Sequence, residues 1–393
     1  MRIGIVGPVS LDTLRWPDGR PDDLPELPAA TVISTLADWL LDQGHEVTLF
    51  TTADQVFEPR TVTSGPLTVC VVPQRRRGKG QDFFAVERYR LGKALAANPC
   101  DVLHAQWSYE YAQAALDSGM PTLVTVRDHA LTILRHQRDL HRAARCVMNA
   151  GVLRRAPRFT VTSPYLHAKL PRAVRRRAVV IPNPLAPGIL ARGRDNAAGP
   201  ARHAVTIGHG FEGRKNTVAA LAAVGLLRSR GEDWRLELIG AGMQEGGPAH
   251  EWARARRLDD GVVFSGPIPF AEAMERVASS SVLLHVSLEE AFGMTILEAM
   301  GLGVPVVGGR RSGNVPYLLE DGRCGVLCDA RDPADIAAAL AGLDRDPGMR
   351  ADLVARACRR AADYSVEVVG PRFVREYLSV LGGPRGLGPE VST

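Results

Sequence analysis

Short apolar runs rich in β-branched residues alternate with segments of helical apolar spacing along almost the whole chain. This alternation is typical of βαβ units, whose parallel strands are buried on both faces. In the first half, apolar residues at helical spacing predict a helix over 31–43 that ends at Gly44. The strands predicted in this half are 2–6, 46–51, 67–72, 101–104, 121–126, 159–162 and 178–181.

A second series of the same kind begins at 204. Its predicted strands are 204–208, 234–239, 261–264 and 282–286, and helices at 332–345, 347–363 and 365–381 end it. Residues 184–201 are rich in Gly, Ala, Pro and Arg and predict a linker, whereas the Gly- and Pro-rich residues 383–393 predict a disordered tail. A chain of 393 residues can bury two cores. We therefore expect an α/β protein with two domains, 1–183 and 202–364.

The segment that follows strand 282–286 carries the strongest chemical pattern. Glu290 lies after the strand, Gly293 lets the backbone approach a ligand closely, and a helix begins near Thr295. The unpaired N–H groups of a first helical turn and the helix dipole favour an anion. The segment therefore predicts a site for a phosphate or diphosphate.

Two carboxylates frame this site. Eight residues at helical rise place Glu290 and Glu298 roughly 12 Å apart, whereas the carboxylates of a retaining glycosidase lie about 5–5.5 Å apart. The spacing favours one ligand that lies across the helix start and offers hydroxyl groups to a carboxylate at each end. The alternative is that Glu290 caps the helix and Glu298 is a solvated surface acid.

Residues 287–307, Ser-Leu-Glu-Glu-Ala-Phe-Gly-Met-Thr-Ile-Leu-Glu-Ala-Met-Gly-Leu-Gly-Val-Pro-Val-Val, resemble the Glu-x7-Glu signature of the family 4 retaining glycosyltransferases of GT-B fold. The resemblance implies two Rossmann-like domains whose parallel sheets face each other across a cleft, with a last helix, 365–382, that crosses back to the first domain. It also implies that Glu290 meets the donor sugar and that Glu298 meets the ribose of the nucleotide.

The glycine-rich stretch after strand 204–208 extends the resemblance. Lys215 stands at a helix start and matches the lysine with which the family neutralises the donor diphosphate. The arginine that the family usually has six residues earlier is His209 here, and Arg214 is a candidate substitute. Gly240-Ala-Gly242 is either a phosphate loop or a place of tight packing. The further residues expected to contact the nucleotide sugar are Gly210, Gly242, Ile268, Phe292, Gly293, Met294 and Thr295.

On the acceptor side, strand 121–126 brings Arg127, Asp128 and His129 to its carboxyl end, the edge of an open α/β sheet where ligands bind. Relatives commonly have Thr-x-His-Asp here, so Arg127 takes the usual histidine position and His129 could supply that histidine. Asp128 could instead cap the following helix. A second departure is Ala29-Ala30, where the family often has two glycines.

Charge and composition narrow the class of protein. The first 200 residues carry 26 Lys/Arg and 18 Asp/Glu, and the remainder 22 and 25. The basic excess is either a solvated face or a surface for an anionic or lipid-linked acceptor. No nucleic-acid-binding motif, signal peptide or transmembrane run accompanies it. Six scattered cysteines predict reduced thiols and a cytoplasmic protein, either free or peripheral to a membrane.

The expected activity is a retaining, metal-independent transfer of a sugar from a nucleotide-diphosphate sugar to a hydroxyl acceptor, without a cofactor. Metal independence is expected because no Asp-x-Asp motif occurs within 204–330, so Lys215, Arg214 or His209 and the helix start must neutralise the diphosphate. The alternatives are a GT-B-type nucleotide-sugar epimerase or phosphorylase, and a non-catalytic nucleotide-sugar-binding protein. An NAD oxidoreductase is disfavoured because neither half has Gly-x-Gly-x-x-Gly after its first strand together with a downstream acid at the end of the next strand.

Overall fold

The computed structural model describes residues 1–22, 24, 27, 31–194, 202–208, 210, 211 and 213–382. They form two compact units. The first unit comprises Met1–Pro184 together with the chain from Val366 onward, and the second unit is Leu185–Ser365.

The first unit is built on an eight-stranded sheet. Its strands are β1 (Arg2–Val6), β2 (Glu46–Ala53), β3 (Arg60–Ser64), β4 (Leu67–Pro73), β5 (Val102–Gln106), β6 (Thr122–Val126), β7 (Arg158–Val161) and β8 (Ala178–Val180). They lie in the order β3-β4-β2-β1-β5-β6-β7-β8, and all pairs are parallel except β3 with β4. The central strands β5 and β6 are buried along their whole length, as their apolar character predicts.

The second unit has a six-stranded, fully parallel sheet. Its strands are β9 (His203–Ile207), β10 (Arg235–Ile239), β11 (Val262–Gly266), β12 (Val282–His285), β13 (Val306–Gly309) and β14 (Val326–Cys328). The order is β11-β10-β9-β12-β13-β14. Because β9 lies between β10 and β12, the loops after these three strands emerge side by side at the carboxyl edge of the sheet.

Helices connect the strands throughout. In the first unit they are α1 (Thr31–Asp42), α2 (Ala85–Ala97), α3 (Glu110–Asp117), α4 (Ala130–His136), α5 (Leu140–Arg155), α6 (Pro164–Lys169) and α7 (Arg172–Arg175). In the second they are α8 (Pro187–Arg194), α9 (Thr217–Ser229), α10 (Pro248–Arg254), α11 (Phe270–Ala278), α12 (Met294–Gly301), α13 (Val315–Leu318), α14 (Pro333–Arg345) and α15 (Pro347–Ala362); α16 (Val366–Val380) belongs to the first unit. None of the described helices is long and apolar enough to cross a bilayer.

The predicted linker over 184–201 is wrong for its first half. Leu185 and Ile189 are buried in the core of the second unit, and α8 packs so closely that a Cβ on Gly193 would lie 1.9 Å from the carbonyl oxygen of Gly301. The low content of large apolar residues hid this helix, because the tight contact uses glycines. Residues 195–201 and the predicted tail, 383–393, lie outside the described residues.

The second unit begins and ends at one place. The backbone N–H of Leu185 donates to the carbonyl oxygen of Tyr364 at 2.7 Å, and Leu185 forms a parallel bridge with Ser365. The chain therefore enters and leaves this unit through adjacent backbone segments.

Helix α16 completes the core of the first unit. Phe373 and Tyr377 are fully buried, and the hydroxyl of Tyr377 is hydrogen-bonded to Nδ1 of His104 on β5 at 2.8 Å. Glu376 accepts from Arg158 of β7 at 2.7 Å. Gly370 lies against the indole of Trp39, because a Cβ there would be 2.6 Å from Cδ2.

We expect Gly370→Ala to lower the stability of the first unit by about 1–3 kcal/mol, because the added methyl group overpacks the contact with Trp39. Gly92→Ala in α2 is the matched control, since a Cβ at Gly92 meets nothing within 4 Å. There the better helix propensity of alanine should raise stability by up to about 1 kcal/mol. Urea unfolding of the two variants measures the difference, and a stabilised Gly370→Ala protein would contradict the contact.

Candidate functional site

Glu290 is the centre of a partly buried charged cluster in the second unit. It lies in the loop between β12 and α12, where its Oε2 accepts from Nζ of Lys215 at 3.1 Å. Nε2 of His285 lies 3.4 Å from the same oxygen but makes no hydrogen bond with any described group. Burial alone would raise the pKa of Glu290, but Lys215, His285 and Arg214 together hold that pKa well below its ordinary value. Glu290 is therefore an anion at neutral pH.

The turn that carries Lys215 is attached to the loop after β12. A 3₁₀ turn, Gly213–Lys215, follows β9. Arg214 donates from Nη1 to the carbonyl oxygen of Glu289 at 2.8 Å, and its own carbonyl oxygen accepts from the backbone N–H of Leu288 at 2.8 Å. The structure thus gives Arg214 a positioning contact with backbone, in addition to its proximity to Glu290.

Asn216 reinforces this attachment. Its backbone is left-handed, with φ of 57° and ψ of 31°, and its side chain donates to the carbonyl oxygens of Val286 at 3.1 Å and Ala330 at 2.6 Å. A left-handed asparagine ends the 3₁₀ turn and starts α9 at the point where Lys215 faces Glu290.

The backbone of Glu290 is fixed from the other side. Gly313 approaches so closely that a Cβ would lie 2.3 Å from the carbonyl oxygen of Glu290, and its φ of +64° is one that glycine adopts readily. The backbone N–H of Asn314 donates to that oxygen at 2.9 Å, and its side chain donates to the carbonyl oxygen of Phe292 at 3.0 Å. Glu290 is therefore held in a preorganised loop.

The start of α12 is left open. Its N-cap is Gly293, with φ of 103° and ψ of 56°, and no side chain caps the helix. The first backbone N–H groups, those of Met294 and Thr295 among them, have no acceptor within the helix. Such groups and the helix dipole suit an anion. The ring of Phe292, in contrast, is 5% exposed and packs against Tyr364, so only the backbone of Phe292 faces this region.

Glu298 is buried in α12 without a counter-ion. Its side chain is in no ion pair with another described residue, and it is only 6% exposed. Burial raises its pKa to about 7. The alternative of a solvated surface acid is therefore wrong. A buried carboxylate that lacks partners is suited to accept hydrogen bonds from ligand hydroxyl groups.

The loops after β9 and β10 lie against each other. The backbone N–H of Gly210 donates to the carbonyl oxygen of Ala241 at 3.2 Å. A Cβ on Gly240 would lie 1.8 Å from the carbonyl oxygen of Gly208, so this glycine serves tight packing. Gly242 has φ of +81° and lies beside Phe211. A direct phosphate contact from Gly210 or Gly242 stays a prediction.

The remaining predicted residues are less fixed by the structure. Ile268 follows β11 and packs partly against the core, which leaves its predicted contact with the base untested. His209 and Ala29-Ala30 lie outside the described residues.

In the first unit, the end of β6 holds a second polar cluster. Asp128 accepts from the hydroxyl of Tyr109. Nδ1 of His129 is hydrogen-bonded to Oγ1 of Thr132 at 2.8 Å, and His129, not Asp128, occupies the N-cap position of α4. Burial, with Lys169 and Arg135 nearby, lowers the pKa of His129, so the imidazole is neutral at pH 7. The suggestion that Asp128 caps this helix is therefore wrong.

Three residues of the donor region escaped the sequence analysis. His285, Gly313 and Asn314 all contact Glu290 or its loop, although each stands in an apolar strand or a turn that looked structural. The only signal was an imidazole in the otherwise apolar run 282–286, and it gave no hint that Nε2 points at a carboxylate.

Comparison with known proteins agrees with these two units. Residues 29–184 match the family model described as "Glycosyl transferase 4-like domain", and residues 201–346 match "Glycosyl transferases group 1". The phosphatidyl-myo-inositol mannosyltransferase of Mycolicibacterium smegmatis is 28% identical over 405 aligned positions, which cover 100% of this chain and 97% of that protein. A D-inositol 3-phosphate glycosyltransferase of Acidothermus cellulolyticus is 35% identical over 132 residues, 33% of this chain and 29% of the relative.

Solved structures show the same fold. The sucrose-phosphate synthase of Thermosynechococcus elongatus superposes with a TM-score of 0.78 at 18% identity, covering 97% of this chain and 99% of that one. The structure of HepE of Anabaena in complex with UDP and glucose superposes with a TM-score of 0.67 at 16% identity. The match covers 96% of this chain and 100% of that one. Two family models that together match most of the chain, and a relative aligned along its whole length, show that this protein belongs to the family 4 glycosyltransferases and has the GT-B fold.

Proposed function

We propose that the protein transfers a sugar from a nucleotide-diphosphate sugar to a hydroxyl group of an acceptor, with retention of anomeric configuration and without a metal ion. The observation that carries this proposal is the partly buried ion pair of Lys215 and Glu290 near the uncapped start of α12. A cation and free N–H groups on one side of a fixed carboxylate suit a sugar diphosphate.

The diphosphate is the leaving group, and its negative charge grows as the bond to the sugar breaks. Lys215 and the N–H groups at the start of α12 are fixed before the reaction, so they stabilise that charge without reorganisation. This arrangement supplies the charge neutralisation that a divalent cation provides in other phosphate sites. It is the basis for the proposed metal independence.

The two glutamates bind opposite ends of the donor. Glu290, kept anionic by its neighbours, accepts hydrogen bonds from hydroxyl groups of the sugar. Glu298 accepts them from the ribose, which would supply the partners that its buried carboxylate lacks. The diphosphate then lies between them at the helix start.

The first unit binds the acceptor. The relatives named above act on phosphatidyl-myo-inositol or D-inositol 3-phosphate, as their names state. An acceptor that contains a phosphorylated inositol is accordingly the first to test. Retention is proposed because the Glu-x7-Glu segment resembles that of retaining enzymes.

The test is to supply the protein with UDP-, GDP- and ADP-sugars, with and without D-inositol 3-phosphate, and to follow nucleoside diphosphate release in excess chelator. We expect release to depend on the acceptor and to persist without metal. Proton NMR of the first product should show the anomeric configuration of the donor. An inverted product, or activity that only Mg²⁺ or Mn²⁺ restores, would overturn the mechanism. Donor consumption that needs no acceptor would indicate an epimerase.

A further inference from the structure

Arg127 is a cation that pairs with no carboxylate in the described part of the chain. Its Nε donates to Oε1 of Gln106 at 2.7 Å and its Nη1 to Oδ1 of Asn183 at 2.6 Å, and both acceptors are neutral amides. No carboxylate of the described residues pairs with it, although Asp128 is the next residue in the chain. The Arg127 side chain is half-buried, and burial lowers its pKa. A charge in this setting is costly unless something neutralises it.

The guanidinium is also held in one orientation. It lies over the indole of Trp107, with 5.2 Å between Cζ and the ring centroid. Trp107 has φ of 66°, a left-handed conformation that is strained for a bulky residue. The amides of Gln106 and Asn183 hold Nε and Nη1 from the side, so the two N–H groups of Nη2 have no acceptor among the residues that the structure describes. The guanidinium is therefore fixed in orientation, and its Nη2 side is available to a ligand.

The position of the guanidinium matches a binding role. Gln106 ends β5 and Arg127 follows β6, so both lie at the carboxyl edge of the parallel sheet. Ligands of open α/β sheets bind at this edge. An ion pair that only stabilised the fold would hold the arginine with a carboxylate of the protein, whereas neutral amides orient the cation and leave its charge for a ligand.

We infer that Arg127 binds an anionic group of the acceptor, a phosphate monoester or a carboxylate, and so selects negatively charged acceptors. The inference rests on the proposed function, in which the first unit receives the acceptor. Guanidinium is suited to both groups because its parallel N–H donors match two oxygens of either one. The neutral amides preorganise it, so little side-chain entropy is lost on binding.

The test measures binding, so it does not require transfer. Thermal shifts of the full-length protein are recorded with four probes: myo-inositol, D-inositol 3-phosphate, glucose 6-phosphate and glucuronate. We expect the anionic probes to raise the melting temperature of the wild type more than myo-inositol does. In Arg127→Gln this preference should disappear, with a loss of affinity for the preferred anion of about tenfold to a hundredfold. Arg127→Lys, which keeps the charge but not the guanidinium, should retain part of it.

Two controls separate the possible outcomes. Arg135→Gln removes an exposed arginine of α4 and should keep the wild-type preference. Lys215→Ala removes the donor-side cation and should also keep it, which excludes binding of the probes at the diphosphate site. Preference for phosphates over glucuronate, or the reverse, identifies the anionic group. Equal shifts with anionic and neutral probes in the wild type, or a preference that survives in Arg127→Gln, would overturn the inference. Absence of sugar transfer with intact anion preference would count against the proposed function alone.

Discussion

Replacing Lys215 with alanine is expected to slow sugar transfer by about 10²–10³-fold, because a fixed charge aimed at the leaving diphosphate is lost. The same change leaves the partly buried Glu290 without its principal cation. Its pKa should then rise from well below the ordinary value, so Glu290 becomes protonated at a higher pH than in the wild type. Since the ionised carboxylate is the form that accepts sugar hydroxyls, the residual rate of Lys215→Ala should increase with pH. The wild-type rate should change less with pH over the same range, because Glu290 stays ionised there.

The matched control for this variant is Lys93→Ala, which removes an exposed lysine of α2 and should leave the rate unchanged. A second variant, Lys215→Ala with Glu290→Gln, removes the buried charge as well. It should recover part of the thermal stability that Lys215→Ala loses, because removing one partner of a partly buried ion pair costs more than removing both. It should not recover activity. If Lys215→Ala alone transfers sugar at the wild-type rate, Lys215 does not contact the diphosphate.

Glu298→Gln is expected to weaken nucleoside diphosphate binding and to stabilise the protein at alkaline pH. In the unfolded chain a glutamate loses its proton near 4.5, whereas burial keeps Glu298 protonated up to about 7 in the folded protein. The folded state therefore binds more protons between these values, and the free energy of unfolding falls as pH rises through this window. Above pH 7, ionisation of the buried Glu298 lowers the free energy of unfolding by on the order of 3 kcal/mol. Glutamine carries no charge and removes that cost.

Melting temperatures at pH 5 and pH 8, together with titrations of UDP, GDP and ADP, test this expectation. Glu298→Gln should melt several degrees above the wild type at pH 8 and close to it at pH 5. Its affinity for the cognate nucleotide should fall about tenfold to a hundredfold, because a hydrogen bond to a charged acceptor is lost. Glu237→Gln provides the contrast: Glu237 is also buried, but it accepts from Ser265 at 2.6 Å, so its loss should destabilise. If Glu298→Gln binds the nucleotide as tightly as the wild type does, Glu298 does not contact the ribose.

The strands and long helices could be predicted because each carries its own periodicity. β5 and β6, for example, consist mostly of apolar and β-branched residues and are buried on both faces. β3 was missed because it is a polar edge strand with mostly exposed residues, so no alternation marks it. Helix α8 was missed because its tight contact depends on Gly193 and Gly301, and glycine lowers the helix signal of the very segment that packs.

The site was predictable only as far as a motif reached. The Glu-x7-Glu segment and Lys215 identified the residues around the start of α12, but not the side chain of His285 that faces Glu290. Nor could the sequence show that Glu298 is buried without a counter-ion among the described residues, while Glu290 has Lys215 and Arg214 close by. These opposite electrostatic environments arise from β9 and β12 lying side by side, and residues 75 positions apart in the chain meet there.

The adjacent entry and exit of the second unit have a consequence for biosynthesis. Leu185–Ser365 is one continuous segment closed by the contact of Leu185 with Tyr364 and Ser365, so it contains everything its own core requires. The first unit starts at the N-terminus but lacks Phe373 and Tyr377 until the ribosome has made α16. Domains fold as units during synthesis, N-terminal first as a rule. Here the order should be reversed at the last step: the unit that emerges second can finish folding first, while the unit that emerges first waits with an open core for the end of the chain.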